Sequence, residues 1–201
     1  MFISIKLPGV MFTCSATNQK PAAFLQLIEQ CKKGHSKSQK RIYNMFYGKM
    51  LSLCRRYAAF EAEARQLLQA GFLEVLQNPD RLRQGRAESI VRDIFIEIIL
   101  RHYVSQGFSV SPAPATEVAR LVPQQLSPPT PSSHESMLEA LRSLPPLERL
   151  VYNLHIIDEL PLSFISRHTQ LDSPAIERLL QRARHHLGNF WGETGGDSAA
   201  G

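Results

Sequence analysis

Six prolines at positions 112, 114, 123, 128, 129 and 131 constrain this 201-residue chain more than any other feature. Proline fixes φ and removes a backbone donor, so no helix or central strand can run through such a segment. Its Ser, Thr and Gln content leaves little to bury, and the stretch is read as a linker. The chain then divides into an extension (1–20), a first domain (21–107), the Pro-rich linker (108–133), a second domain (134–191) and a flexible tail (192–201).

Both expected domains carry a helical period and no strand pattern. Phe24, Leu25, Leu27 and Ile28 lead into Ile42, Phe46, Met50, Leu53 and Cys54, spaced by threes and fours. The pattern continues over 64–76 with Leu67, Leu68, Phe72, Val75 and Leu76, and Asn78-Pro79 ends it. A further helix over 89–103 is apolar on most sides, as befits a helix packed between others. Beyond the linker, the spacing predicts helices over 135–144, closed by Pro145-Pro146, and over 147–157. A short helix over 162–169, a turn at Gln170-Leu171-Asp172 and a final helix over 173–187 complete an all-α chain. Asp172 or Ser173 can cap that last helix, and Pro174 suits its first turn.

Charge narrows the partners. The net charge is +5, and it is unevenly placed. Residues 20–110 carry 15 Lys and Arg against 8 Asp and Glu, while residues 130–201 carry 6 against 9. A basic balance favours polyanions. Cys14, Cys31 and Cys54 form no CxxC pair, which points to a reducing, cytoplasmic setting rather than to a disulfide framework or zinc module. The mildly apolar opening 1–16 is interrupted by Lys6 and Pro8 and reads as an extension, or as sequence before a start at Met11, rather than a signal peptide. The longest apolar run, 94–100, is broken by Glu97 and is far short of the roughly 20 residues of a membrane span, so no membrane insertion is expected.

The final helix holds the candidate site. Ile176, Leu180, Ala183 and Leu187 form one stripe, and Glu177, Arg178, Gln181, Arg182 and His185 lie largely opposite. A short helix, a three-residue turn and a second helix with one cationic face have the layout of a helix-turn-helix, whose second helix enters the major groove. Arginine there can hold phosphates or take guanine bidentately, and glutamate can accept from cytosine. The plainer reading, that Arg178, Arg182 and Arg184 are only a solvated face, stands beside it. The histidines 102, 155, 168, 185 and 186 lack the i, i+4 spacing and carboxylate partner of a helical zinc site, so no metal is expected. No Gly-rich phosphate loop, nucleophile elbow or Cys–His arrangement is present, so neither catalysis nor a cofactor is expected. Tyr43, Phe46 and Tyr47 beside Lys40 and Arg41 could stack on nucleic acid, although packing of the first helical hairpin explains them more simply.

The segment SLPPLERLVYNLHIIDELPLSFIS (143–166), running on to RARHHL (182–187), resembles the C-terminal domain of extracytoplasmic-function (ECF) sigma factors of bacterial RNA polymerase. LIEQCKKGH (27–35), MLSLCRRY (50–57) and ARQLLQAGFLEVLQN (64–78) are similar to the N-terminal domain of the same family, in divergent form. The resemblance spans 24–106 and 136–188. It implies no bond chemistry. The N-terminal domain would clasp RNA polymerase core and open the downstream promoter element, while the C-terminal helix reads the upstream element.

Carried over by position, Ser173, Glu177, Arg178, Gln181, Arg182, Arg184 and His185 would meet upstream DNA. Arg92 and Arg101 would face the downstream element, and Gln66, Leu67, Gln69 and Phe72 would contact polymerase. Promoter DNA and core polymerase are the implied partners, with an anti-sigma factor a further one. The chain departs from the family at Gln66 and Ala70, where acidic residues are usual, and at Ile90, Glu97 and Arg101, where tryptophan, asparagine and aspartate are favoured. Gln170 stands in place of a turn glycine, and His168-Thr169 in place of apolar residues. Two other functions fit the same residues: a DNA-binding regulator that does not engage polymerase, and a helical adaptor that binds only protein.

Overall fold

The computed structural model describes residues 22–107 and 134–194, with side chains from 22–107 and 135–191. The extension, the linker and the end of the tail lie outside the described residues. Within them the protein is all-α, with eight α-helices and no strand.

Helices α1 (Ala22–Lys32), α2 (Ser36–Tyr57), α3 (Glu61–Gln77) and α4 (Ala87–Ser105) build the N-terminal bundle. Two of the helix ends have a clear local cause. Gly34 takes φ +79 between α1 and α2, a left-handed value that costs glycine little. Asn78-Pro79 stops α3 and starts a 3₁₀ turn over Pro79–Arg83, with Pro at its first position. The core includes Ile28, Ile42, Tyr57, Val75, Leu82, Ile94, Phe95 and Ile99, all fully buried. Phe95 sets the α3–α4 distance, because its ring lies 2.5 Å from where a Cβ on Gly71 would stand and so requires a residue with no side chain there.

The C-terminal unit comprises α5 (His134–Ser143), α6 (Pro146–Tyr152), a π-helical turn (Asn153–Ile157), α7 (Leu162–Thr169) and α8 (Ser173–Thr194). The single helix expected over 147–157 is therefore an α-helix that widens into a π turn. That turn ends at Glu159, at φ 57, while Leu160 N–H reaches back to the Leu154 carbonyl at 2.8 Å. The bond spans six positions, one more than the usual bond across a left-handed residue at a helix end, as the wider π turn before it requires. At the other end of the unit, α8 continues past Gly192, into the segment expected to be tail.

The two sets of helices pack on one another. Leu150, Val151, Leu154, Ile165 and Ile176 join the same apolar cluster as the bundle core, and Leu141, Ala183 and Leu187 form a second cluster with Tyr152. Polar groups close the seam between the two halves. Asp158, only 4% exposed at its side chain, meets Arg56 at 2.8 Å and accepts from the Tyr57 hydroxyl. Arg92 donates to the Asp158 carbonyl at 2.6 Å, and Asn153 Nδ2 donates to the Arg56 carbonyl at 3.1 Å. Burial, and then the Asp158 carboxylate, hold the Tyr57 hydroxyl well above its ordinary pKa. The neutral donor is the form that the seam requires.

Candidate nucleic-acid interface

Helix α7 carries little of its own burial, with Ile165 its one fully buried residue. Its C-terminus is closed by Gln170 at φ 58, ψ 20, a left-handed turn made without glycine. A side chain there costs on the order of 1 kcal/mol, and the turn persists because its flanks are fixed. Leu171 is buried behind it, and Asp172 Oδ1 accepts from the Ala175 N–H at 2.8 Å. Asp172 is thus the N-cap of α8, and Ser173 is left exposed at the first helical position. Ala175, Ile176, Leu179, Leu180, Ala183 and Leu187 then seat α8 inward.

The outer face of α8 presents Glu177, Arg178, Gln181, Arg184 and His185, all exposed. Ion pairing changes the role expected for Arg182. It is half-buried and lies 3.3 Å from Glu148, a carboxylate only 5% exposed, which also takes His186 at 2.6 Å. A buried carboxylate needs compensation, so Arg182 serves the interior of the C-terminal unit. Arg178 and Arg184 remain as the outward cations of the helix. Sequence reasoning missed Glu148 because it lies on the inner side of α6, 38 residues from His186, and no local period shows such a pairing.

The two residues expected to face the downstream element differ in how firmly the fold engages them. Arg92 is held by Asp158, and Arg101, although exposed, has Glu74 at 3.9 Å. Of the expected polymerase contacts, Gln66 and Gln69 are exposed on α3, but Leu67 and Phe72 are 2% and 3% exposed. Apolar side chains at those two positions pack against the bundle and cannot reach a partner. Leu73, 59% exposed, extends the Gln66–Gln69–Ala70 face by one turn.

The bent pair α7–α8, with its capped second helix and outward arginines, defines a helix-turn-helix of the DNA-binding class. Residues 134–187 match the family model described as Sigma-70, region 4. That match supports a role in transcription, as a sigma factor or another DNA-binding protein. No curated protein matches the chain. Among the described residues no helix is long and apolar enough to cross a membrane.

Proposed function

We propose that the protein is an ECF-type sigma factor that binds RNA polymerase core and directs it to promoters. The observation that carries this reading is the outer face of α8, where Arg178 and Arg184 are exposed with no carboxylate within ion-pair distance among the described residues, on a helix within the span matched to Sigma-70, region 4. In this reading α8 lies in the major groove of the upstream element, with the arginines on phosphate or guanine and Glu177 and Gln181 as base readers. The N-terminal bundle, residues 21–107, meets polymerase through the Gln66–Gln69–Leu73 face of α3 and the downstream element through α4. The Pro-rich segment 108–133 tethers the two. Arg92 cannot serve both Asp158 and a phosphate, so engagement of both promoter elements requires the seam to open.

Run-off transcription with purified core polymerase tests the whole reading. Promoter-dependent transcripts are expected, together with co-purification of core. DNA binding measured across a salt series tests the recognition helix: Arg178→Ala or Arg184→Ala is expected to weaken binding by about 1–3 kcal/mol where it removes a base contact. Unchanged binding in both variants would remove α8 as the reader. A second reading, a DNA-binding regulator that does not engage polymerase, is favoured by one observation, that the exposed α3 face carries Gln66 and Ala70 in place of acidic side chains. DNA binding without co-purification of core would select it.

A further inference from the structure

The bundle's cations are mostly matched to carboxylates. Lys32 meets Asp80, Lys49 meets Glu88, Arg55 meets Glu61, Arg56 meets Asp158 and Arg81 meets Glu97. Lys33 and Arg86 are isolated exceptions among the described residues, and one stretch departs from the rule with three cations together. Lys37, Lys40 and Arg41 are exposed, and among the described residues none has a carboxylate within ion-pair distance. With Asn44 and Met45 they line a shallow, open depression along α2, at helical spacings of three and four. The face continues to Gly48, where a side chain would meet nothing within 4 Å of its Cβ. The segments 1–21, 108–134 and 192–201 together carry three acidic residues, Glu117, Glu193 and Asp197, against Lys6, Lys20 and Arg120, so they bring no net counter-charge.

The placement of these cations works against the helix. They occupy the first turns of α2, which has no acidic residue in its first turn and no side-chain cap. The helix dipole is positive at that end, and Lys37 and Arg41 repel each other at i, i+4. An anion bound along the face relieves both penalties.

We propose that the Lys37–Lys40–Arg41–Asn44 face of α2 is a second nucleic-acid contact, which holds the phosphodiester backbone without reading sequence. The groups are those that contact phosphate and sugar: lysine, arginine and a side-chain amide, with the exposed Tyr47 at the margin. Spread over the eight residues from Lys37 to Asn44, they cover about 10 Å of helix. A lipid surface fits poorly, because Met45 is the one apolar side chain in the depression. The inference rests on the DNA-binding reading of the chain, but on different residues.

The test uses the full chain, Lys37→Gln/Lys40→Gln/Arg41→Gln, and fluorescence anisotropy on duplex and single-stranded DNA of two unrelated sequences across a salt series. All three positions are exposed, so an unchanged melting curve is the check on folding. The triple variant is expected to bind both sequences about tenfold or more weakly at low salt. The slope of log affinity against log salt is expected to shrink by about 2–3 on duplex, near 0.9 for each phosphate no longer neutralised. Lys37→Arg/Lys40→Arg/Arg41→Lys should keep the slope. The relative loss on the two DNA forms tells duplex from single strand as the natural partner. An unchanged slope on both forms overturns the proposal, and weakened binding to poly-glutamate alongside it would assign the face to an acidic protein instead. Arg178→Ala separates the two readings: if it changes nothing while the triple variant loses binding, the α2 contact stands and the recognition helix falls.

Discussion

Two sets of arginines carry the same charge in opposite surroundings. Arg56 and Arg92 sit at the seam between the halves, locked onto Asp158 with a buried tyrosine beside them. Arg178 and Arg184 stand on the outer face of α8, exposed to solvent. The difference lies in what surrounds each guanidinium rather than in its sequence neighbours. At the seam the cations belong to the fold, and losing a partner strands a buried charge. On α8 they are free to be lent to a ligand. Substitutions at the two places should therefore separate stability from binding.

The largest effect is expected at the centre of the seam. Asp158→Ala leaves the largely buried Arg56 unpaired and the Tyr57 hydroxyl without its acceptor, and removing one member of a buried pair costs about 3–5 kcal/mol. Urea denaturation should show that loss, and small-angle scattering should show a larger radius of gyration as the halves separate. A variant as stable and compact as the parent would mean that apolar packing alone holds the halves. Gly71→Ala breaks the interior by a different route, since its new methyl would overlap the Phe95 ring and overpacking costs about 1–3 kcal/mol. Its thermal midpoint should fall while DNA binding at a temperature below the transition stays unchanged.

Alkaline pH probes the buried side of the comparison without mutation. Burial pushes the Cys54 thiol up to about 12, and burial together with Asp158 raises the Tyr57 hydroxyl. Both folded-state values lie above the unfolded ones, so the folded protein binds more protons in that window and stability falls as pH rises. The loss should begin near pH 9, where an unfolded thiol ionises, and steepen above about 10, where tyrosine does. Denaturant midpoints measured from about pH 8 to 11 check it. Tyr57→Phe should flatten the upper part of that fall, and a flat profile in the parent would show that neither group is sequestered.

The helices were legible in the sequence because their period is local. Ile42, Phe46, Met50 and Leu53 declare one buried face, and Ile176, Leu180, Ala183 and Leu187 another, and both faces are buried. The turn at Gln170–Asp172 was legible for the same reason. The seam was not. Asp158 looks like one more turn residue, and nothing nearby in sequence marks Arg56, Tyr57 and Arg92, 102, 101 and 66 positions away, as its partners. The ambiguity at Arg182 has the same origin. Helical period places it on the polar side of α8, and only the position of Glu148 turns it inward. Leu67 and Phe72 show the converse, since family position marked them as contacts while their own apolar spacing marked them as core.

The smallest effect concerns the two turns that flank these regions. Glu159, next to the seam, and Gln170, at the base of α8, both hold left-handed backbone without being glycine. Glycine removes the steric cost of that conformation, on the order of 1 kcal/mol, but gives back part of it through the greater freedom of the unfolded chain. Glu159→Gly and Gln170→Gly should therefore each stabilise by about 0.5–1 kcal/mol, read as a raised denaturant midpoint with unchanged m-value. The two should differ in what else they touch. Glu159 is exposed, but its backbone positions Asp158, so added freedom there acts on the seam and should show in the radius of gyration of the Asp158→Asn background. Gln170 sets the angle between α7 and α8, so added freedom there acts on how α8 is presented and should lower DNA affinity while stability rises. Stabilisation at Gln170 with no change in affinity would show that Asp172 and the buried Leu171 fix the geometry of α8 without help from the turn.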